Sequence, residues 1–200
     1  MLVSKSELFR EIKRKAFHLL SLAYLAAYFL FGYPRIIGWL LIWTVLLALL
    51  EASRLYSPRL NEFLIQLFRD LSRPEEKTRY SGAFYTAAGA LIVIFLFGKN
   101  PKIVSASLFC AALGDAFAAL FGKIFGAHKI LGGRKSIEGS VACFSVCCLI
   151  CISFGFPLPA SIAASMAGTA LEFLPTTAYF NDNLWLPLGS ALVLSLWGVG

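Results

Sequence analysis

Two hundred residues, 58% hydrophobic and only 14% charged at a mean hydropathy of +0.75, carry too few polar groups to cover a water-soluble globule. The net charge of +7 comes from 18 basic and 11 acidic side chains, which is charge for orienting a membrane protein rather than for gripping a polyanion, so no nucleic-acid partner is expected. The five cysteines, Cys110, Cys143, Cys147, Cys148 and Cys151, lie inside apolar runs without zinc-type spacing and read as small core residues.

Apolar runs long enough to approach a bilayer crossing recur at 16–33, 35–52, 80–98, 103–122, 138–156, 158–174 and 184–199. The expected fold is therefore all-α: a polytopic integral membrane helical bundle of about seven transmembrane helices, with residues 1–200 as one membrane-embedded catalytic domain. Between the second and third runs, Leu60, Phe63, Leu64, Leu67, Phe68 and Leu71 recur at helical spacing opposite a polar face, and Ser57-Pro58 supplies an N-cap and a first-turn proline. That stretch predicts an interfacial amphipathic helix, either a connector or the wall of a lipid entrance.

Positive charge gives the orientation. With the N-terminus in the cytoplasm, 15 of the 18 basic residues fall inside, leaving Arg35, Lys99 and Lys102 outside. All 11 acidic residues and both histidines then collect at the cytoplasmic end as well, which orientation alone does not require. A cell membrane, or an endoplasmic reticulum membrane in a eukaryote, is the expected location.

Within the fourth run Asp115 follows Gly114, and a carboxylate there costs a few kcal/mol unless a partner or a cation compensates it. Ala106, Cys110, Gly114, Ala118 and Gly122 form a ladder of small residues at spacing four, suited to a close helix interface within the chain or in a homodimer. The following loop, 122–136, replaces apolar residues with glycine and basic groups, among them Lys123, His128, Arg134 and Lys135. Glycines bare backbone amides to an anion, Arg134 and Lys135 supply positive charge, and Ser136 caps the next helix, so the loop outlines either a phosphate site or a solvated turn. Glu11, Arg14, Lys15 and His18 share one helix face where the first run enters the membrane, and Glu51 with Arg54 reads as an interfacial ion pair. Glu172 and Asp182 flank one short turn and can converge on a divalent cation, with Asn183 adding an amide contact.

The set Asp115, Ala118 and Gly122 followed by Arg134-Lys135-Ser136, Glu138 and Gly139 resembles the CTP-binding signature of the CTP-dependent lipid kinases, the dolichol kinase, phytol kinase and CTP-dependent diacylglycerol kinase family. Glu11, Arg14, Lys15 and His18 resemble the family's amino-terminal motif, and Glu172 to Pro175 with Asp182 to Pro187 its carboxy-terminal one. Arg134-Lys135-Ser136 stands where dolichol kinases tend to show two lysines and a threonine, which keeps charge and hydroxyl but leaves the lipid open. The short chain suggests a minimal core of the family.

The resemblance implies transfer of the γ-phosphate of CTP to the hydroxyl of a membrane lipid alcohol such as a polyprenol, dolichol, phytol or diacylglycerol. Gly114, Ala118, Gly122, Lys123, Arg134, Lys135, Ser136, Glu138 and Gly139 are the expected nucleotide contacts. Mg²⁺ is expected on Asp115, Glu172 and Asp182, with Lys135 neutralising charge and Asp115 or His18 accepting the hydroxyl proton. A CTP:phosphatidate cytidylyltransferase, which attacks the α-phosphate, is the alternative enzyme; a small ion-coupled transporter would leave the loop without a purpose.

Overall fold

The computed structural model describes residues 5–133, 135–175, 177 and 180–197; Arg134 and the end of the seventh apolar run lie outside the described residues. The chain is helical almost throughout: α1 Lys5–Leu19, α2 Leu22–Phe31, α3 Arg35–Tyr56, α4 Pro58–Leu67, α5 Gly82–Phe97, α6 Pro101–Phe109, α7 Asp115–Ile124, α8 Ile137–Ser153, α9 Leu158–Phe173 and α10 Asp182–Ser195. The loop after α7 adds two short strands, β1 Lys129–Ile130 and β2 Lys135–Ser136, paired antiparallel. Gly132 and Gly133 turn between them at φ +67° and +87°, backbone that glycine adopts without strain.

The expected count of seven spans is not what helix length gives. Among the described residues two helices are long and apolar enough to cross a bilayer unaided, Arg35–Tyr56 with 22 residues and the continuous rod Pro101–Ile124 with 24. The first run, 16–33, is broken: Leu20 and Ser21 donate to the carbonyls of Phe17 and His18, and this tightened turn separates α1 from α2. Helices α5, α8, α9 and α10 follow the predicted apolar runs with 16, 17, 16 and 14 residues.

Local chemistry accounts for most boundaries. Asn100 accepts from the amides of Lys102 and Ile103 and Pro101 opens α6, Ser136 accepts from Gly139 N at the start of α8, and Asn181 accepts from Asn183 N at the start of α10. Ser57 stands at the cap position of the predicted amphipathic helix α4, but its side chain makes no capping bond there; Pro58 at the first turn marks that start instead.

The α6–α7 rod is one stack interrupted by a turn of π-helix at Cys110–Gly114. Packing runs from α3 to α5, α10, α9, α8 and α7 in succession, with α6 inside against α10 and α5, and α1 against α7. Val104, Ala106, Cys110, Cys143, Cys147 and Cys151 are fully buried in this core, and all five cysteines are free thiols. The small-residue ladder works within the chain. A Cβ on Gly139 would stand 2.5 Å from Ala118 O, one on Gly114 2.7 Å from Cys147 Sγ, and one on Gly122 2.9 Å from Ser136 Oγ, so these positions let α8 lie hard against the rod.

Candidate active site

Asp115 is the first residue after the π turn. The extra residue in that turn rotates α7 by about 100° relative to a regular continuation of α6, which is one way a fold re-aims a single side chain. Glu172 lies near the C-terminus of α9 and Asp182 opens α10, beyond the connection that returns the chain. The three carboxylates are buried, and one oxygen from each falls within 4.8 Å of the others.

Two lysines offset part of the charge of this cluster. Lys15 reaches in from α1 to Asp115 Oδ2 at 2.5 Å, and His18 Nε2, one turn on, lies 3.5 Å from the same oxygen. Lys135, on β2, donates to the Glu172 carboxylate, to Glu172 O at 2.7 Å, and lies 3.7 Å from Asp182 Oδ2. Burial opposes the Lys135 charge, but Glu172 and Asp182 outweigh it and hold its pKa above the usual lysine value. Glu172 Oε2, Asn183 Oδ1 and His18 Nε2 are buried atoms without a hydrogen-bond partner among the described residues. An all-oxygen set with orphaned acceptors fits a hard divalent cation such as Mg²⁺, which takes one or two carboxylates and completes its shell with water or phosphate oxygen.

The other expected residues divide by what holds them. Glu11, Arg14 and Lys123 form a seam between α1 and α7: Glu11 pairs with Arg14 and lies 3.0 Å from Lys123 Nζ, which also donates to Glu7 O at 3.3 Å. Burial opposes ionisation of Glu11, yet the cations outweigh it and its pKa is lowered. Glu138 closes the hairpin loop, accepting from His128 N at 3.1 Å and meeting its ring Nδ1 at 2.7 Å. Gly114, Ala118, Gly122 and Gly139 set the α7–α8 distance, and Ser136 is buried as the α8 cap.

On the opposite side of Asp115 a cavity of about 790 Å³ opens between α1, α2, α3, α4 and α5. Its walls are largely aliphatic and aromatic, including Tyr24, Ala27, Trp39, Trp43, Leu64 and Phe68, so the amphipathic helix α4 forms part of the chamber rather than only a connection. Its inner end is polar, where Lys15, His18, Asp115 and Asn183 face it.

Three features of this end escape sequence reasoning. Glu51 and Arg54, expected as an interfacial pair, are buried, and Arg54 donates to Asn61 Oδ1 and to the carbonyls of Glu76 and Arg79 at 2.8, 2.7 and 2.6 Å. It thereby clamps the 72–82 connector over the chamber. That connector contributes Arg73 and Glu76 to the lining, two residues that look in sequence like ordinary charges of a polar loop. Burial pushes the Glu76 carboxyl up despite the Gly82 amide it accepts at 3.1 Å.

No family model matches the chain. No solved structure matches it either. An uncharacterized protein of Rickettsia prowazekii is 30% identical over 193 residues, covering 91% of this chain and 92% of that protein. The phytol kinase of Synechocystis is 32% identical over 57% of this chain and 53% of its own length, and phytol kinase 1 of Arabidopsis thaliana 30% identical over 68% and 49%. The chain thus spans about half the length of these phytol kinases. It belongs to the lipid-kinase-like family that contains them, as a distant member.

Proposed function

We propose that the protein is a membrane-embedded kinase that moves the γ-phosphate of CTP onto the hydroxyl of a lipid alcohol. One observation carries the reading: a buried carboxylate–lysine cluster able to hold a divalent cation stands at the polar end of an apolar chamber, with Lys15, His18 and Asp115 belonging to both. That juxtaposition would let a nucleotide phosphate chain and a lipid hydroxyl meet. The exposed apolar faces of α3, with Trp39, Leu41, Ile42, Trp43 and Leu46, support seating in a bilayer, cytoplasmic side toward the cluster by the charge distribution.

Asp115, Glu172 and Asp182 would hold Mg²⁺, which would supply positive charge to offset that on the transferred phosphoryl group. Lys135, with the loop that carries Arg134, would neutralise the triphosphate. His18 is the better placed proton acceptor for the lipid hydroxyl, because Asp115 Oδ2 is already bonded by Lys15, whereas His18 Nε2 lies 3.5 Å from that oxygen, makes no hydrogen bond with a described residue, and belongs to a side chain that lines the chamber. CTP as donor rests on the signature resemblance. Phytol as acceptor is suggested by the relatives' names; polyprenols and diacylglycerol are the other acceptors to compare.

Purified protein incubated with γ-labelled CTP, Mg²⁺ and a panel of phytol, polyprenol, dolichol and diacylglycerol tests the reading. Label in an organic-soluble monophosphate is the expected result. Label released only as pyrophosphate with phosphatidate as acceptor identifies a cytidylyltransferase instead.

A further inference from the structure

Four lysine and arginine side chains line the chamber: Arg14, Lys15, Arg54 and Arg73. Three of them have a carboxylate. Arg14 pairs with Glu11, Lys15 with Asp115 and Arg54 with Glu51. Arg73 is half-buried, faces the same space, and makes no side-chain hydrogen bond or ion pair with any described residue. A half-buried guanidinium with five donors and no acceptor is an incomplete arrangement that an anion completes.

Its position is fixed rather than incidental. Arg73 precedes Pro74 and sits in extended backbone at φ −83° and ψ 150°, its carbonyl accepts from Glu76 N at 3.0 Å, and Arg54 holds the carbonyls of Glu76 and Arg79 just beyond. Asp182, Asp115 and Glu76 are near enough to act on its charge, it forms no ion pair with them, and it lines the same chamber as Asp115.

We infer that Arg73 is an anion-binding residue of the active site whose ligand is the phosphoryl group as it reaches the lipid oxygen. This rests on the kinase reading above. In that step the bond from γ-phosphorus to the β–γ bridging oxygen breaks while a bond to the lipid oxygen forms, the hydroxyl proton passes to the base, and CDP leaves. Arg73 forms no covalent bond; it donates to the non-bridging oxygens, whose charge must be balanced on the chamber side of the cluster, and Lys135 does not line the chamber. The phosphate monoester product carries that same group, so Arg73 also gives the chamber a preference for lipid phosphate over lipid alcohol.

Two measurements test this on the intact chain in detergent. Isothermal titration with dodecyl phosphate and with dodecanol is expected to show wild type favouring the phosphate, Arg73→Ala losing at least about tenfold in dodecyl phosphate affinity with dodecanol unchanged, and Arg73→Lys falling between. In the transfer assay Arg73→Ala is expected to lower kcat by about 10²- to 10³-fold with the KM for CTP little changed. Wild type that does not discriminate the two probes, or Arg73→Ala that binds dodecyl phosphate as wild type does, overturns the assignment, as does a kcat within twofold of wild type. A wild-type protein that labels no lipid alcohol overturns the kinase reading alone, and the phosphate-against-alcohol comparison still decides Arg73. Arg73→Lys supplies the same comparison if the alanine variant does not fold.

Discussion

Lys15 and Asp115 are 100 residues apart in the chain and 2.5 Å apart in the fold, with side chains 4% and 7% exposed. The bond ties the entry helix α1 to the first residue after the π turn, so the same contact that assembles the site also closes the bundle. Removing one partner of a buried pair strands the other as an uncompensated charge, at a cost of about 3–5 kcal/mol. Lys15→Met is therefore expected to destabilise more than Lys15→Met combined with Asp115→Asn, and thermal unfolding of wild type, both single variants and the double variant reads the coupling. Additive losses would mean that the pair is not formed. Asp115→Asn alone is expected to remain folded and to lose turnover by at least about 10²-fold, since the neutral amide binds the cation more weakly than the carboxylate and cannot hold Lys15 by charge.

Glu172 and Asp182 give a second test of the cluster. If they share a divalent cation with Asp115, Glu172→Gln and Asp182→Asn each remove one anionic ligand, and the Mg²⁺ concentration for half-maximal activity should rise by about tenfold or more. Chelation should abolish wild-type activity and added Mg²⁺ restore it. An unchanged Mg²⁺ dependence in both variants would take these carboxylates out of the metal site.

Part of this cluster is visible in the sequence alone. Asp115 is legible because a carboxylate in an apolar run needs a reason, Glu172 and Asp182 because they flank one short turn, and Ser136 as a cap because a hydroxyl stands just before a helical pattern. The break between α1 and α2 is not, since Leu19-Leu20-Ser21-Leu22 contains neither glycine nor proline and the apolar run continues through it. The π turn is likewise silent in sequence, although it decides where Asp115 points. Arg73 reads in sequence as one orienting charge among several because its meaning depends on which neighbours already hold carboxylates, and only the tertiary contacts reveal that.

Gly139 separates packing from nucleotide contact. A methyl group there would meet a backbone oxygen, Ala118 O, at 2.5 Å, and backbone cannot move aside as a side-chain tip can. Gly139→Ala is expected to cost about 1–3 kcal/mol through forced separation of α7 and α8. Melting temperature should fall while the KM for CTP of the folded fraction stays near wild type. A raised KM for CTP with unchanged melting would instead mark Gly139 as a nucleotide contact.

Glu76 carries a pH signature. Its pKa is raised by burial, so the folded state binds this proton more tightly than the unfolded chain does. The stabilisation from this group is fully present below the unfolded glutamate value of about 4.3 and is lost as pH rises through the higher folded value. Wild type should thus lose stability relative to Glu76→Gln as pH rises above about 4.3 and through the higher folded value, because glutamine keeps an acceptor for Gly82 N and has no proton to lose. Melting temperatures of the two proteins across that interval test the sign, and parallel curves would show that Glu76 is not desolvated.

The chamber makes the last prediction, and it concerns the lipid alone. Ala27, on α2, lines the wall away from the carboxylate cluster and packs against the core edge, so enlarging it narrows the tail-binding space without touching Lys15, His18 or Asp115. Aliphatic walls distinguish tails weakly by attraction, about 1–3 kcal/mol per methylene-sized change, but they exclude by collision. Ala27→Trp should raise the KM for a long branched alcohol by about tenfold or more, leave the KM for CTP unchanged, and spare a short-tailed acceptor. Equal effects on long and short acceptors would mean that the tail does not occupy this cavity. Normal kinetics with both would place the lipid outside it, for instance along the exposed face of α3.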